Sequence, residues 1–242
     1  VKLAESLQVQ HLELRYKTAQ DNDFITRCQH AYFACELADT AEQILANVKK
    51  KQRAVIRHAL NQPLHYTLDQ HEDDFYQTYS ESVRNLGTPV FSRRFFRKIR
   101  QVFAQNSEIL TVRKDDKAVS SVLSFYYKNE VLPYYGGGSL DAKSLKSNDF
   151  MYYQLMCHAR ANKACSHYDF GRSKLESGAY QYKKHWGMTA TELPYQYCLI
   201  RSDSLPNLSP NNPKYQLFIR LWQKLPLRIS QWLGPKLSRF LA

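Results

Sequence analysis

The sequence predicts an α+β fold with a mixed, largely antiparallel sheet flanked by helices, and three observations carry that reading. Between residues 64 and 200 the hydrophobic spacing gives strand, two helices, three strands, helix, strand, helix, strand, which is not a strict strand–helix alternation. The first two of the three consecutive strands meet at Lys114-Asp115-Asp116-Lys117, a charged hairpin-like turn. The 242 residues are 43% hydrophobic and 13% aromatic, enough to bury a core. No apolar run reaches the roughly 18 residues that a membrane-spanning helix needs.

The chain opens on Val1, and LAESLQVQHLELRY reads as the tail of a helix running into a strand over 11–16, which implies residues upstream. Residues 27–35 form a second strand. From Thr40 to Leu60 the apolar residues Ala41, Ile44, Leu45, Val48, Val55, Ile56, Ala59 and Leu60 recur at helical spacing, with Thr40 and Gln43 placed as a capping box. Asn61-Gln62-Pro63 ends that helix and LHYTLDQ follows as a strand. Helices over 72–86 and 92–105 are separated by Gly87-Thr88-Pro89. The strand runs SEILTVRKDD, KAVSSVLSFYYKNE and NEVLPYYGGGS come next, the last closing on Gly136-Gly137-Gly138. Ser147 or Asn148 caps a helix over 149–163, whose apolar stripe is Met151, Tyr152, Leu155, Met156 and Ala159. HYDFG is a short strand, 177–186 a short helix and TELPYQYCLI the last strand. Residues 203–213, rich in Ser, Pro and Asn, form a linker.

The tail from Lys214 to Ala242 has Lys214, Arg220, Lys224, Arg228, Lys236 and Arg239 and no acidic residue. Its apolar residues, Trp222 and Trp232 among them, fall at i, i+3, i+4 spacing, and Pro226 and Pro235 break it into two or three short helices. A basic amphipathic segment of this kind either lies on an anionic membrane face or docks its stripe on the protein's own core.

Lys and Arg number 34 against 22 Asp and Glu, a net charge of +12, which favours anionic partners: nucleic acid, phosphorylated substrates or an anionic membrane. The five cysteines are odd in number and widely spaced, with no C-x-x-C, so a reducing cytoplasm is expected and a disulfide framework is not. The eight histidines show no ligand spacing that supports a metal. The richest stretch is Tyr168-Asp169-Phe170-Gly171-Arg172-Ser173-Lys174 with Ser177-Gly178-Ala179-Tyr180-Gln181-Tyr182-Lys183-Lys184-His185-Trp186-Gly187. A strand ending in glycine puts flexible backbone and cationic donors where an anion could bind; an ordinary solvated basic loop has the same composition. Asp169-Phe170-Gly171 spells a kinase triplet with none of its companions. Gly136–Gly138 either approaches a ligand with bare backbone or ends a strand. Lys50, Arg53 and Arg57 share a helix face, and with Arg84 they are candidate anion-binding residues.

Taken jointly, Lys50-x-x-Arg53-x-x-Ile56-Arg57-x-Ala59, Asn85-Leu86-Gly87-Thr88-Pro89 with Phe95-Phe96, Asp169-Phe170-Gly171-Arg172-Ser173, and Gly178-Ala179-Tyr180 with Lys183-x-x-Trp186-Gly187 resemble the FemAB-like transferases. Within them the pattern is similar to the exosortase/PEP-CTERM-associated branch. The resemblance runs from about residue 10 to 242. It implies GNAT-type folds, with 1–62 the remainder of a truncated first copy, 63–203 a complete copy and 204–242 the basic helices. It implies acyl or aminoacyl transfer to an amine of a cell-envelope or exopolysaccharide precursor, with acyl-CoA or aminoacyl-tRNA as donor and no bound cofactor. The phosphate loop of acetyl-CoA-using relatives is absent from YYGGGSLDAKSLKSNDF at 134–150, and Tyr182-Lys183 stands where the family has Phe-Lys.

On that reading Lys183 and Arg172 stabilise developing negative charge. Asp169 orients or deprotonates the amine, or else bonds backbone N–H groups at a strand end. Tyr134, Asn148, Tyr152, Gly171, Ser173, Lys174, Gly178, Tyr182 and Trp186 are the candidate substrate-binding residues. The competing class is a non-catalytic module of the same fold that binds an anionic glycan intermediate or nucleic acid. The expected setting is cytoplasmic, peripheral on the inner membrane face through 214–242, with tRNA as a partner where it carries the donor.

Overall fold

The chain is seen in a computed structural model, which describes residues 1–21, 23–205 and 213–239. It starts with α1 (Lys2–Ser6), β1 (His11–Arg15), β2 (Ile25–Glu36), α2 (Ala41–Asn47), α3 (Lys50–Leu60) and β3 (Leu64–Asp69). Then follow α4 (Asp73–Asn85), α5 (Arg93–Phe103), β4 (Ser107–Lys114), β5 (Lys117–Tyr127), β6 (Glu130–Gly138), α6 (Ala142–Leu145) and α7 (Ser147–Lys163). The last elements are β7 (His167–Lys174), α8 (Gly178–His185), β8 (Thr189–Leu199), α9 (Pro213–Gln223) and α10 (Leu227–Ser238). Their packing divides the chain into two units, Val1–Ala34 with Phe170–Pro210, and Cys35–Asp169 with Asn211–Ala242.

In the first unit the strand order is β1-β8-β2-β7. β8 pairs antiparallel with both neighbours, His11 opposite Leu199 and Ile25 opposite Tyr197, and β2 slips register between Cys28 and His30. Ala31, Phe33, Leu193, Tyr195, Trp186 and Met188 are among its buried apolar residues. The Ser177 hydroxyl caps α8 by accepting from Tyr180 N at 3.2 Å, as an N-cap serine should.

In the second unit the order is β7-β6-β5-β4-β3. Strands β3 to β6 pair antiparallel, and β6 with β7 is a parallel pair made through the α7 crossover. The Gly136–Gly138 run shows how helices cover this sheet. A Cβ on Gly137 would come within 2.5 Å of Ser82 Cβ on α4, while one on Gly136 would come within 2.8 Å of the Tyr152 hydroxyl on α7. One on Gly138 would collide with Ala142. Successive strand residues face opposite ways, so α4 and α7 lie on opposite faces and both approach too closely for a side chain. The glycines therefore serve helix packing, a third reading beside bare-backbone ligand contact and a flexible strand end. An aromatic core of Phe75, Tyr76 and Phe96, with Ile109 and Leu123, fills the α4 side.

Four expectations are corrected. The helix expected from Thr40 to Leu60 is two: the capping box forms, with Thr40 Oγ1 accepting from Gln43 N at 3.2 Å, but Val48 turns extended. Arg53 then covers the freed carbonyls, donating to Ala46 O at 2.9 Å and Val48 O at 3.0 Å. Neither Ser147 nor Asn148 caps α7; both are inside it, because Lys146 takes a left-handed turn (φ 54°) out of the unexpected α6. β7 continues past Gly171 to Lys174, with Gly171 itself at φ +70°, a conformation that glycine takes without strain. Pro226 separates α9 from α10, but Pro235 sits within α10. Most of the linker expected over 203–213, and Phe240 and Leu241, lie outside the described residues.

Candidate active site

Tyr134, Asn148, Tyr152 and Asp169 fall in the second unit, around the crossover. β6 and β7 pair at only two positions, Glu130 with His167 and Val131 with Tyr168. Beyond these the two strands are not paired with each other, and the carboxyl ends of parallel strands that part are where such sheets bind ligands. Asp169 is the first residue of β7 past the paired stretch. Tyr152 is held under Gly136; burial, then the nearby Asp149 charge, push its hydroxyl up to about 12, so it stays a proton donor at any physiological pH. Asn148 Oδ1 would lie 2.8 Å from a Gly138 Cβ. It is buried without a hydrogen-bond partner, as are the hydroxyls of Ser120, Ser139 and Ser147. Buried polar atoms are nearly always paired, so this end of α7 has hydrogen-bonding capacity to spare. Tyr134 is 60% exposed and rests edge-on against Phe125.

Asp149 is a residue that the sequence reading missed. It lies in the first turn of α7, buried, and accepts from Gln52 Nε2 of α3 at 2.5 Å. A carboxylate there suits the helix dipole and also opposes a phosphate at the same place. No spacing rule links positions 97 residues apart.

The remaining residues fall in the first unit. Lys183 Nζ donates to the Arg172 carbonyl at 3.1 Å, with its ammonium 5.2 Å from the Phe170 ring centre and 5.9 Å from that of Phe33. Phe170, Tyr182 and Trp186 pack edge to face against one another. Gly171 is glycine for its positive φ, whereas a Cβ on Gly178 would meet nothing within 4 Å. Ser173 is buried with its hydroxyl unpartnered, and Lys174 is exposed.

The Arg172 guanidinium donates to the Tyr195 hydroxyl and lies 5.7 Å from the centre of its ring. Arg15 lies 5.7 Å from the same ring, and His30 stacks on it at 5.3 Å. Burial first, then the positive charges of Arg172, Arg15 and Lys174, push the His30 imidazole below its ordinary value. Here three cations act on one stacked His–Tyr pair, with Glu13 opposing them and bonded by Arg15. Arg15, His30 and Tyr195 were also missed: they come from three different strands and only strand pairing brings them to Arg172.

Of the anion-binding candidates, Lys50 and Arg57 are exposed on α3. Arg53 is spent on the end of α2, and Arg84 donates to Asn85 Oδ1 and to Leu225 O at 3.1 Å. Among the described residues no group of three His, Cys, Asp or Glu could hold a metal. A cavity of about 680 Å³ in the second unit, lined by Glu72, Arg97, Arg100, Ser107, Glu108 and Lys163 among others, contains none of the candidate catalytic or substrate-binding residues.

A mostly antiparallel sheet with one parallel pair made through a crossover helix defines a GNAT-type acyltransferase fold. The chain belongs to the acetyltransferase (GNAT) domain family, whose model matches residues 45–184. No curated protein matches it in sequence. Among solved structures it is similar to FemX, at 14% identity and a TM-score of 0.63 over 90% of this chain and 70% of that one. It is also similar to a C-terminal domain from Agrobacterium fabrum that carries the name of lysylphosphatidylglycerol synthetase, at 14% identity and a TM-score of 0.55 over 72% of this chain. The chain spans 61% of that second structure. At such identities the likeness is one of fold.

Proposed function

We propose that the protein transfers an acyl or aminoacyl group to an amine of a cell-envelope or exopolysaccharide precursor, in the setting of the exosortase-associated FemAB-like branch. The observation that carries this is the β6–α7–β7 crossover, whose parallel pair ends after Tyr168 within the family-matched segment. FemX and the domain named for a lysylphosphatidylglycerol synthetase support an envelope amine as acceptor. On this reading residues 1–62 are the remainder of a first copy, 63–203 a complete one and 204–242 its basic tail. The setting is cytoplasmic, in keeping with five free cysteines, of which Cys35 is pushed by burial up to about 11.

The amine nitrogen attacks the carbonyl carbon of a thioester or aminoacyl ester. A C–N bond forms, the C–S or C–O bond breaks, the amine loses a proton and the leaving group takes one. Asp169 orients or deprotonates the amine. Lys183 and Arg172 offset the negative charge on the carbonyl oxygen or hold the anionic end of a substrate, and Tyr152 supplies a hydroxyl that keeps its proton. The donor is acyl-CoA or aminoacyl-tRNA. The Asp149 carboxylate at the start of α7 weighs against a pyrophosphate seated there, and so favours the tRNA-borne donor.

The purified chain should transfer label from one of these donors to an amine-bearing envelope precursor. Lys183→Ala and Arg172→Ala should each cut turnover by about a hundredfold with an unchanged melting temperature. Unchanged turnover would remove both residues from the site. No transfer from either donor, together with tRNA or DNA binding that falls steeply with salt, would establish the binding module instead.

A further inference from the structure

The basic tail docks on α4 with the wrong face for an ordinary packing helix. α10 buries its small residues, Ser230, Gly234 and Ser238. The fit is close: a Cβ on Gly234 would come within 2.8 Å of Val90 O and 2.9 Å of Val90 N. α9 anchors through buried Trp222, through Ile219 against Gly87, and through Gln223 Nε2 donating to Asn85 O at 2.9 Å. Docking on the core therefore does occur, but several large side chains are left outside. Leu217 is 62% exposed, Leu221 59%, Ile229 43% and Trp232 64%, and the neighbouring Leu86 at the end of α4 is 70% exposed. Leu217, Leu221 and Lys224 fall at i, i+4 and i+7, and Ile229, Trp232 and Lys236 at i, i+3 and i+7. Each stripe thus ends in a cation, and the Lys236 ammonium lies 3.7 Å from the Trp232 ring centre.

From this arrangement we propose that the outer faces of α9 and α10 rest on an anionic lipid surface, with the apolar side chains in the headgroup boundary and the cations on lipid phosphates. Residues 213–239 hold Lys214, Arg220, Lys224, Arg228, Lys236 and Arg239 and no carboxylate. A second copy of this chain would bring like charges together, whereas an anionic bilayer supplies both the apolar boundary and the opposite charge. An indole beneath a lysine ammonium matches that boundary, apolar in body and polar at its tip. The inference goes beyond the transferase reading and does not rest on it.

The test is co-sedimentation of the full chain with vesicles of phosphatidylcholine alone and of phosphatidylcholine with about one-third phosphatidylglycerol, at about 0.1 M and about 0.5 M salt. Binding should be at least about tenfold tighter to the anionic vesicles at low salt and should weaken at high salt, since each cation near such a surface contributes about fivefold. Replacing Arg220, Lys224, Arg228 and Lys236 by Gln should abolish the preference. Leu221→Ser with Trp232→Ser should weaken binding by about tenfold or more without a loss of melting temperature, both positions being exposed. Quenching by brominated acyl chains should be reduced in Trp232→Ser, which reports on insertion directly. Equal binding to both vesicles, unaltered binding by these variants, or a dimer in solution that Trp232→Ser dissociates would overturn the proposal. Transfer to a water-soluble acceptor should persist in these variants, so a failure here is distinguishable from a failure of the transferase reading.

Discussion

Two charged clusters, one in each unit, use the same residue types to opposite ends. In the second unit Glu108 accepts from Tyr126 at 3.0 Å, from His158 Nε2 at 2.9 Å and from Lys163. Asn162 Nδ2 lies 3.2 Å from His158 Nδ1, and with that amide donating, the ring presents its Nε2 proton to Glu108. Every charge in this network has a counterpart, and each oxygen of the carboxylate is used. In the first unit Arg15, Arg172 and Lys174 gather about His30 and Tyr195, while the Glu13 carboxylate is bonded by Arg15 at 3.0 Å. The Glu108 network balances its charges, whereas the cluster about His30 leaves an excess of one sign next to an aromatic floor. Residue type is no guide to which is which; the count of partners is.

The sharpest way to break this contrast is a crossed pair of substitutions. Arg172→Ala should cost about 2.7 kcal/mol of transition-state stabilisation, a hundredfold in turnover, and leave the melting temperature where it was. Glu108→Gln should do the reverse, lowering stability by about 1–3 kcal/mol in denaturant melts because His158 and Lys163 lose their charged acceptor, with turnover kept. If both variants lose activity and stability alike, the division between the clusters fails.

Acid titration sharpens the same point. Burial by itself would raise the Glu108 carboxyl, but hydrogen bonds from His158, Lys163 and Tyr126 outweigh it and hold it at about 2 against an ordinary 4.5. A carboxyl lowered on folding contributes its stability in full above the unfolded value and loses it as pH falls through the folded one. Stability should therefore decline between pH 4.5 and about 2, and that decline should be shallower in Glu108→Gln. A smaller effect lies outside both clusters. Thr40→Ala removes the capping box of α2 and should cost about 1 kcal/mol, measurable in the same melts.

Much of the fold was legible. The Lys114–Lys117 turn, the β-rich runs of β4 to β6, the Thr40 capping box and the Ser177 start of α8 all follow from neighbours within four residues, where spacing and side-chain chemistry act directly. The failures share a cause. The break at Val48 is covered by Arg53, the left-handed Lys146 follows a helix that the pattern did not announce, and Pro235 stays in α10 while neighbouring Gly234 is wedged against Val90. In the site, the sequence named Arg172 and Lys183 but not the residues they meet. Tyr195 is 23 positions from Arg172, and Asp149 is 97 from Gln52.

Periodicity and turn chemistry were sufficient for the order and kind of most elements, and composition for the excess of positive charge, because each depends on near neighbours or on simple totals. Strand pairing and helix docking chose which cations are neutralised, why Gly136–Gly138 must lack side chains, and which stripe of the tail faces out. Those outcomes depend on distances between residues far apart in the chain, which come into being when the sheet forms and the helices close over it.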